Sequence, residues 1–272
     1  MANQTEENKS KVAVIGLGSV GGALKHTLEF FYKVVGYDIN GNYEWKGILD
    51  SDILFICVQT NTGDDGRLDC SHVTEVLSRL SEDSYKGIVV IRSTLRIGYM
   101  EFATKTFQNL HLVYSPEFIR ERSRLQWSVC PDRIVMSGSR EDVDRALKYF
   151  GWAEEAEVLV MDYRSAEIGK LANNAYIATK VSFTNEMEMI CRKLGGDAES
   201  VMDIVTTDRR VRTKEHHRPF LGPYEGKCVP KDTLELITAA ENPILLSAVH
   251  KVNEVVKNNE TKIAMESNVP KC

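Results

Sequence analysis

The chain has 272 residues, 43% of them hydrophobic and 27% charged, with 18 glycines against 7 prolines. That composition excludes disordered, collagen-like and mucin-like chains, and the length suits two domains or one large one. With 34 Lys and Arg against 39 Asp and Glu, the net charge of −5 gives no global drive toward DNA or an anionic membrane.

The first half alternates strand and helix patterns. Strands are expected at 11–15, 33–38, 53–58, 87–92, 110–114, 133–136 and 157–161, with helices at 20–31, 71–80 and 141–150. Apolar strands without polar alternation mark a parallel sheet buried on both faces, and the βα repeat predicts a Rossmann-like, doubly wound α/β domain over residues 1–162. After Asp162 the strand signals stop. Ile168, Leu171, Ala172, Ala175, Ala178, Thr179 and Ser182 recur at helical spacing, predicting a long helix to about Leu194 that ends at Gly195 and Gly196. Further helices at 198–206, 233–240 and 243–256 complete an all-helical domain over 163–258, and 259–272 reads as a polar tail. The apolar surplus of the long helix predicts a homodimer built on this domain. The longest apolar run, residues 53–58, is far short of the roughly 20 residues that span a bilayer. The polar start bearing Glu6, Glu7 and Lys9 is unlike a signal peptide, so a soluble cytoplasmic protein is expected.

Six cysteines stand at 57, 70, 130, 191, 228 and 272, with no C-x-x-C pair and no zinc-ligand spacing, so no metal is expected. Five read as reduced thiols, mostly small core residues. Cys228 does not fit that account, because Lys227 and Lys231 flank it beside a helix start, where a thiol pKa falls and a nucleophile becomes available.

Gly16-Leu17-Gly18-Ser19-Val20-Gly21 follows a strand and opens a helix, the context a dinucleotide pyrophosphate requires. Asp38 ends the second strand, where an acid can hold ribose hydroxyls and repel a 2′-phosphate, so NAD is expected over NADP. Lys170 and Asn174 stand four apart on one helix face and could together donate to an oxygen that becomes negative, although an exposed Lys and a surface amide fit the same spacing. The basic run 209–218 lacks the interleaved aromatics of a nucleic-acid patch, so no nucleic acid is expected.

These segments, with Phe55-Ile56-Cys57-Val58, Ile91-Arg92-Ser93-Thr94, Ser115-Pro116-Glu117-Phe118, Pro131-Asp132-Arg133-Ile134-Val135 and Cys228-Val229-Pro230-Lys231-Asp232, resemble the UDP-glucose/GDP-mannose dehydrogenase family in order from about residue 11 to 253. The resemblance implies NAD-dependent oxidation of a nucleotide-sugar C6 alcohol to a carboxylate through a thiohemiacetal and a thioester on Cys228. By the same resemblance Lys170 and Asn174 hold the oxyanion, Asp232 orients water, Glu121 or Glu117 assists proton transfer and Thr94 positions the water. Gly16, Gly18, Ser19, Val20, Gly21, Asp38, Thr60, Thr94 and Lys231 would meet NAD. Phe118, Ile119, Arg120, Glu121, Lys170, Asn174, Tyr224 and Gly226 would meet the substrate, as would Arg210, reaching the neighbouring subunit's site.

The chain departs from the family pattern in several places. The family's carboxy-terminal domain, which completes the nucleotide-sugar site, has no counterpart in the 272 residues. Pro223-Tyr224-Glu225-Gly226 stands where the family carries Gly-aromatic-Gly-Gly; Gln59 and Asn61 replace prolines, and Arg122 a glycine. Two other readings stay open: a two-electron β-hydroxyacid dehydrogenase, which also uses a helix-borne Lys and a nearby Asn, and a non-catalytic NAD-binding protein.

Overall fold

The structure, a computed structural model, describes residues 11–41, 43–118, 128–212, 222–225, 229–240 and 243–267. The chain divides into two compact units, Met1–Asn174 and Ala175–Cys272.

Five strands of the first unit, β1 (Lys11–Ile15), β2 (Lys33–Tyr37), β3 (Ile53–Ile56), β4 (Ile88–Ile91) and β5 (His111–Tyr114), form one all-parallel sheet in the order β2-β1-β3-β4-β5. Successive side chains of a strand point to opposite faces, and here both faces are dry. Ala13, Ile15, Leu54 and Ile56 pack on one side with Leu77 and Met100, while Val12, Val14, Ile53 and Phe55 pack on the other with Leu24, Leu28 and Val143. Helices α1 (Ser19–Leu28) and α5 (Arg140–Leu147) therefore cover one face. Helices α2 (Lys46–Leu49), α3 (Ser71–Glu82) and α4 (Tyr99–Thr106) cover the other. The sheet is doubly wound as expected. Its order reverses between β1 and β3, and a crevice opens outside the carboxyl ends of the strands at such a switch point.

One expectation needs correction, and one helix was not expected at all. Strands β6 (Arg133–Met136) and β7 (Glu157–Val160) do not extend the main sheet but pair with each other in parallel. Their link to β5 is an antiparallel bridge in which the Tyr114 and Ser137 amides each donate to the other's carbonyl, at 2.8 and 2.9 Å. The reversed direction at that bridge stops the parallel ladder, and β7 leaves Val158 and Val160 exposed. The helix α4 is the second surprise. It starts at Gly98, which adopts φ +88° and provides no side-chain cap. Its free amides are met from afar: the Glu167 carboxylate, fully buried, accepts from Gly98 N–H at 2.6 Å and Met100 N–H at 2.7 Å.

Glu167 lies on α6 (Tyr163–Leu194), the long helix, whose later residues belong to the second unit. Gly195 follows it with φ +77°, as expected of a terminating glycine. In the second unit come α7 (Ala198–Thr207), α8 (Arg209–Arg212), α9 (Val229–Ala239) and α10 (Ile244–Ser267). The last runs well past residue 258, so the expected polar tail is helical to Ser267. Phe183, Met187, Ile190, Met202, Ile237, Ala240 and Leu246 form the second unit's small core. Among the described residues no helix is long and apolar enough to cross a membrane.

Two backbone amides depend on Glu167, that of Met100 buried and that of Gly98 partly so. Glu167→Ala should destabilise the chain by about 2–3 kcal/mol, the cost of unsatisfied buried donors, and Glu167→Gln by less. Urea denaturation checks this, and an unchanged midpoint for Glu167→Ala would refute it.

Candidate active site

At the switch point the glycine turn packs directly on the end of β3. A Cβ on Gly16, whose φ is +85°, would lie 2.7 Å from the Cys57 carbonyl oxygen, and one on Gly21 would lie 1.8 Å from the Gly16 carbonyl oxygen. Gly18 differs: a Cβ there would meet nothing within 4 Å. The space beyond Gly18 is a cleft of ≈ 760 Å³, open solvent included, lined by Ile15, Gly16, Gly18, Asp38, Cys57 and Val58 among others. Gly16 and Gly21 are thus required by protein neighbours, whereas Gly18 keeps the cleft floor open for a ligand. Ser19, Val20 and Gly21 form the first turn of α1, where backbone amides have no partner within the helix and suit an anion.

Asp38 is fixed at the rim. Its carboxylate accepts from the Leu17 amide at 2.8 Å and from the Asn40 amide at 2.9 Å, and these bonds hold its pKa below the usual carboxylate value. It is therefore ionised at neutral pH. Beyond the cleft, Thr60 Oγ1 donates to the Thr94 carbonyl at 2.7 Å and Ser93 Oγ to the Val58 carbonyl at 2.7 Å, so the loops after β3 and β4 are tied together. Thr60 and Thr94, far apart in sequence, stand side by side.

The second constellation lies around Lys170, which is 8% exposed, so the alternative of a surface lysine is overturned. Its ammonium donates to the Glu117 carbonyl and sits 4.9 Å from the centroid of the Phe118 ring. The Arg133 guanidinium lies over the same ring at 4.1 Å, donates to Asn173 Oδ1 at 3.0 Å and is held by Asp132. Arg92 donates to Ser115 Oγ at 3.0 Å, and its Nε is buried with no hydrogen-bond partner among the described residues. Burial lowers the Lys170 pKa, Arg92 and Arg133 lower it further, and Glu117 opposes them. Arg92, Arg133 and Asn173 were not singled out as site residues. The sequence signal for the first is a cation directly after the all-apolar strand β4, where nothing but a built polar site can hold it.

The remaining expected residues are more dispersed. Asn174 is exposed, accepting from Asn173 Nδ2 at 3.4 Å. The Arg210 guanidinium is engaged by Asp208, with Nε 3.1 Å from Oδ1. Tyr224 is pinned through its backbone: its amide donates to Asn253 Oδ1 at 2.7 Å and its carbonyl accepts from Asn253 Nδ2 at 3.2 Å. Ile119, Arg120, Glu121, Gly226 and Cys228 lie outside the described residues, as do the side chains of Lys231 and Asp232. Of the other thiols, Cys70 and Cys191 are buried as expected, but Cys130 is exposed. The Cys57 thiol, desolvated at the end of β3, is pushed up to about 12 and is no nucleophile.

Two sequence matches decide the family. Residues 40–150 match the NAD binding domain of the UDP-glucose/GDP-mannose dehydrogenase family, and residues 164–255 match its central domain. The chain belongs to the UDP-glucose/GDP-mannose dehydrogenase family. The match to the NAD-binding domain begins just after Asp38, so the glycine turn stands on its own geometry. UDP-glucose 6-dehydrogenase YwqF of Bacillus subtilis is 33% identical over 224 residues, which are 78% of this chain and 50% of that protein. UDP-glucose 6-dehydrogenase of Pseudomonas aeruginosa is 30% identical over 237 residues, 82% of this chain and 52% of that one. The chain spans about half the length of the curated relatives it matches. Among solved structures, a UDP-glucose dehydrogenase from the archaeon Pyrobaculum islandicum superposes with TM-score 0.66 at 28% identity, covering 92% of this chain and 69% of that one. GDP-mannose dehydrogenase from Pseudomonas aeruginosa gives TM-score 0.82 at 22% identity, covering 96% and 72%, a likeness of fold.

NAD is the cofactor that this family's domain binds, and the open floor at Gly18 and the ionised acid at Asp38 fit it. Asp38→Asn should weaken NAD binding about 10-fold, as for a lost hydrogen bond to a charged group, and narrow the gap to NADP. Because the folded pKa of Asp38 is depressed, the acid's contribution persists across the neutral range and is lost only as pH falls through that lowered value. Calorimetric titration of both cofactors checks this; equal NAD affinity in Asp38→Asn would contradict it.

Proposed function

We propose that the chain carries the NAD-binding and catalytic parts of a nucleotide-sugar 6-dehydrogenase, converting a C6 alcohol such as that of UDP-glucose to the uronic acid. The NAD-binding domain would occupy 1–162 and the helical domain would begin at 163. The observation that carries the reading is the buried Lys170, with its ammonium at the Glu117 carbonyl and cations on either side. A lysine held so far from water is suited to a charge that appears only during reaction.

When bound, NAD accepts the hydride that leaves the carbinol carbon in each of two oxidations. The chain's own groups do the rest. Glu117, or Glu121 beyond it, takes the hydroxyl proton as the first hydride leaves, giving the aldehyde. The Cys228 thiolate adds to the aldehyde carbon, and the carbonyl oxygen becomes an alkoxide that Lys170 and Asn174 hold by hydrogen bonds. Loss of the second hydride turns this thiohemiacetal into a thioester. Water oriented by Asp232 and Thr94 then hydrolyses the thioester, releasing the carboxylate and restoring the thiol. Phe118, Ile119, Arg120, Tyr224 and Gly226 would line the sugar site. The cysteine flanked by lysines favours this four-electron route over a two-electron hydroxyacid dehydrogenase, which needs no nucleophile.

A homodimer of cytoplasmic chains is part of the reading. Ile177, Val181 and Met189 of α6 are each about half exposed or more, an apolar surplus that an isologous contact would cover. Arg210 would then reach its partner's substrate.

NADH counting tests the chemistry: two per UDP-glucose for the wild type, and none of the second in Cys228→Ala. Lys170→Ala should lose roughly 10²–10³-fold in rate, the cost of one oxyanion donor. A Cys228→Ala chain that still yields two NADH per substrate would sink the mechanism. Light scattering tests assembly separately, and a monomer at micromolar concentration would reject the dimer.

A further inference from the structure

We propose that Arg133 is the positioning residue for Lys170: its guanidinium, stacked on Phe118 and bonded to Asn173, clamps the loop at 115–118 against α6 and holds the Lys170 ammonium at the Glu117 carbonyl. The proposal deepens the reading of Lys170 as an oxyanion donor. Three observations support it. The Phe118 ring carries both cations, Arg133 at 4.1 Å and Lys170 at 4.9 Å from its centroid, so moving the ring frees the lysine. Arg133 Nη2 reaches Asn173 Oδ1 at 3.0 Å, which fastens the start of β6 to the helix turn that carries Lys170. Asp132 holds the Arg133 Nη1 with both oxygens at 2.9 Å, leaving the rest of the planar fork for the ring and the amide. Lysine could supply the charge at position 133 but neither the flat stacking surface nor the fork.

The charged groups facing Lys170 among the described residues are Glu117 from the loop after β5, Arg92 from the end of β4, and Arg133 itself. If Arg133 acted by charge alone, Arg133→Lys would leave Lys170 as it is. A clamp predicts otherwise. Losing the stack lets water reach the ammonium, and the Lys170 titration moves up toward that of an ordinary lysine.

The test uses the full chain labelled with [ε-13C]lysine, the Lys170 signal being the one absent from Lys170→Arg. In both Arg133→Lys and Arg133→Met that signal should titrate at higher pH than in the wild type. Asn173→Ala, which removes only the part-buried bond at the helix end of the clamp, should move it in the same direction by less. NAD affinity should stay unchanged in all three, and kcat with UDP-glucose should fall about 10-fold in Arg133→Lys, as expected when a reacting group is misplaced. A Lys170 titration in Arg133→Lys that superimposes on the wild type overturns the clamp, and Asn173→Ala provides the same reading should Arg133→Lys not fold. A wild type that forms no NADH from UDP-glucose while the titrations behave as stated refutes the oxyanion role and leaves the clamp standing.

Discussion

The buried carboxylate of Glu167 is the constraint on which the first unit's polar site depends. A carboxylate with no exposure must have its oxygens satisfied, and its two partners are backbone amides at the start of α4. Those amides belong to a helix packed on the sheet, so they cannot follow the carboxylate if α6 turns. The rotational setting of α6 is thereby fixed at its second turn, and Lys170 lies three residues on. Rotating the helix by one residue would carry the ammonium away from the Glu117 carbonyl and expose the carboxylate's oxygens at the same time. The position of the proposed oxyanion donor and the cap of α4 are one structural fact.

The second unit uses the same device on the same helix. Glu186, 9% exposed, accepts from the Leu245 amide at 2.7 Å and the Leu246 amide at 2.9 Å, capping the start of α10. One helix thus fixes the start of another within each unit, by a carboxylate rather than by an apolar seam. That suits a helix whose surface is unusually exposed for its length. Hydrogen bonds to buried amides set orientation sharply, whereas the small cluster around Met187 and Leu246 alone would tolerate sliding. Asn253 adds a third such tie, pairing both backbone polar groups of Tyr224 four residues before Cys228. A side-chain amide that copies a strand's pairing pattern holds the loop without needing a sheet.

What could be read from sequence was what is local. Each strand of the main sheet is a short apolar run, and the glycine turn, Asp38 and the end of α6 at Gly195 sit in short motifs whose residue types mark them in the sequence. The misses are all non-local. Helix α4 has no cap of its own and takes one from a glutamate 69 residues away. The pair β6–β7 reads like the other strands, and only the antiparallel bridge at Tyr114 and Ser137 keeps it from the ladder. Arg133 looks like an ordinary strand-start cation until Phe118 and Asn173 are brought to it from two other elements. Helical spacing from Lys170 points to Asn174, yet its neighbour Asn173 is the amide tied into the cluster.

Arg133 and Lys170 share the Phe118 ring, and Arg92 and the Glu117 carboxylate act on the same lysine. Asp132 offsets Arg133 from the solvent side. Among the described residues the balance within the cluster remains positive, and burial lowers the Lys170 pKa, so keeping the charge there costs stability. An apolar cluster of the same size would be more stable, since burial of unbalanced charge is costly and cation–π contacts return only part of that cost. Structural needs therefore do not account for it, as the neighbouring core closes perfectly well with Tyr114, Leu112 and Val135. A site that must meet a transient negative charge has the opposite requirement. Its donors must be oriented in advance, short of water and incompletely neutralised, so that the oxyanion rather than a resident carboxylate completes the balance. The Glu117 main-chain carbonyl, a dipole, orients the Lys170 ammonium, while the Glu117 carboxylate offsets only part of the positive charge around it.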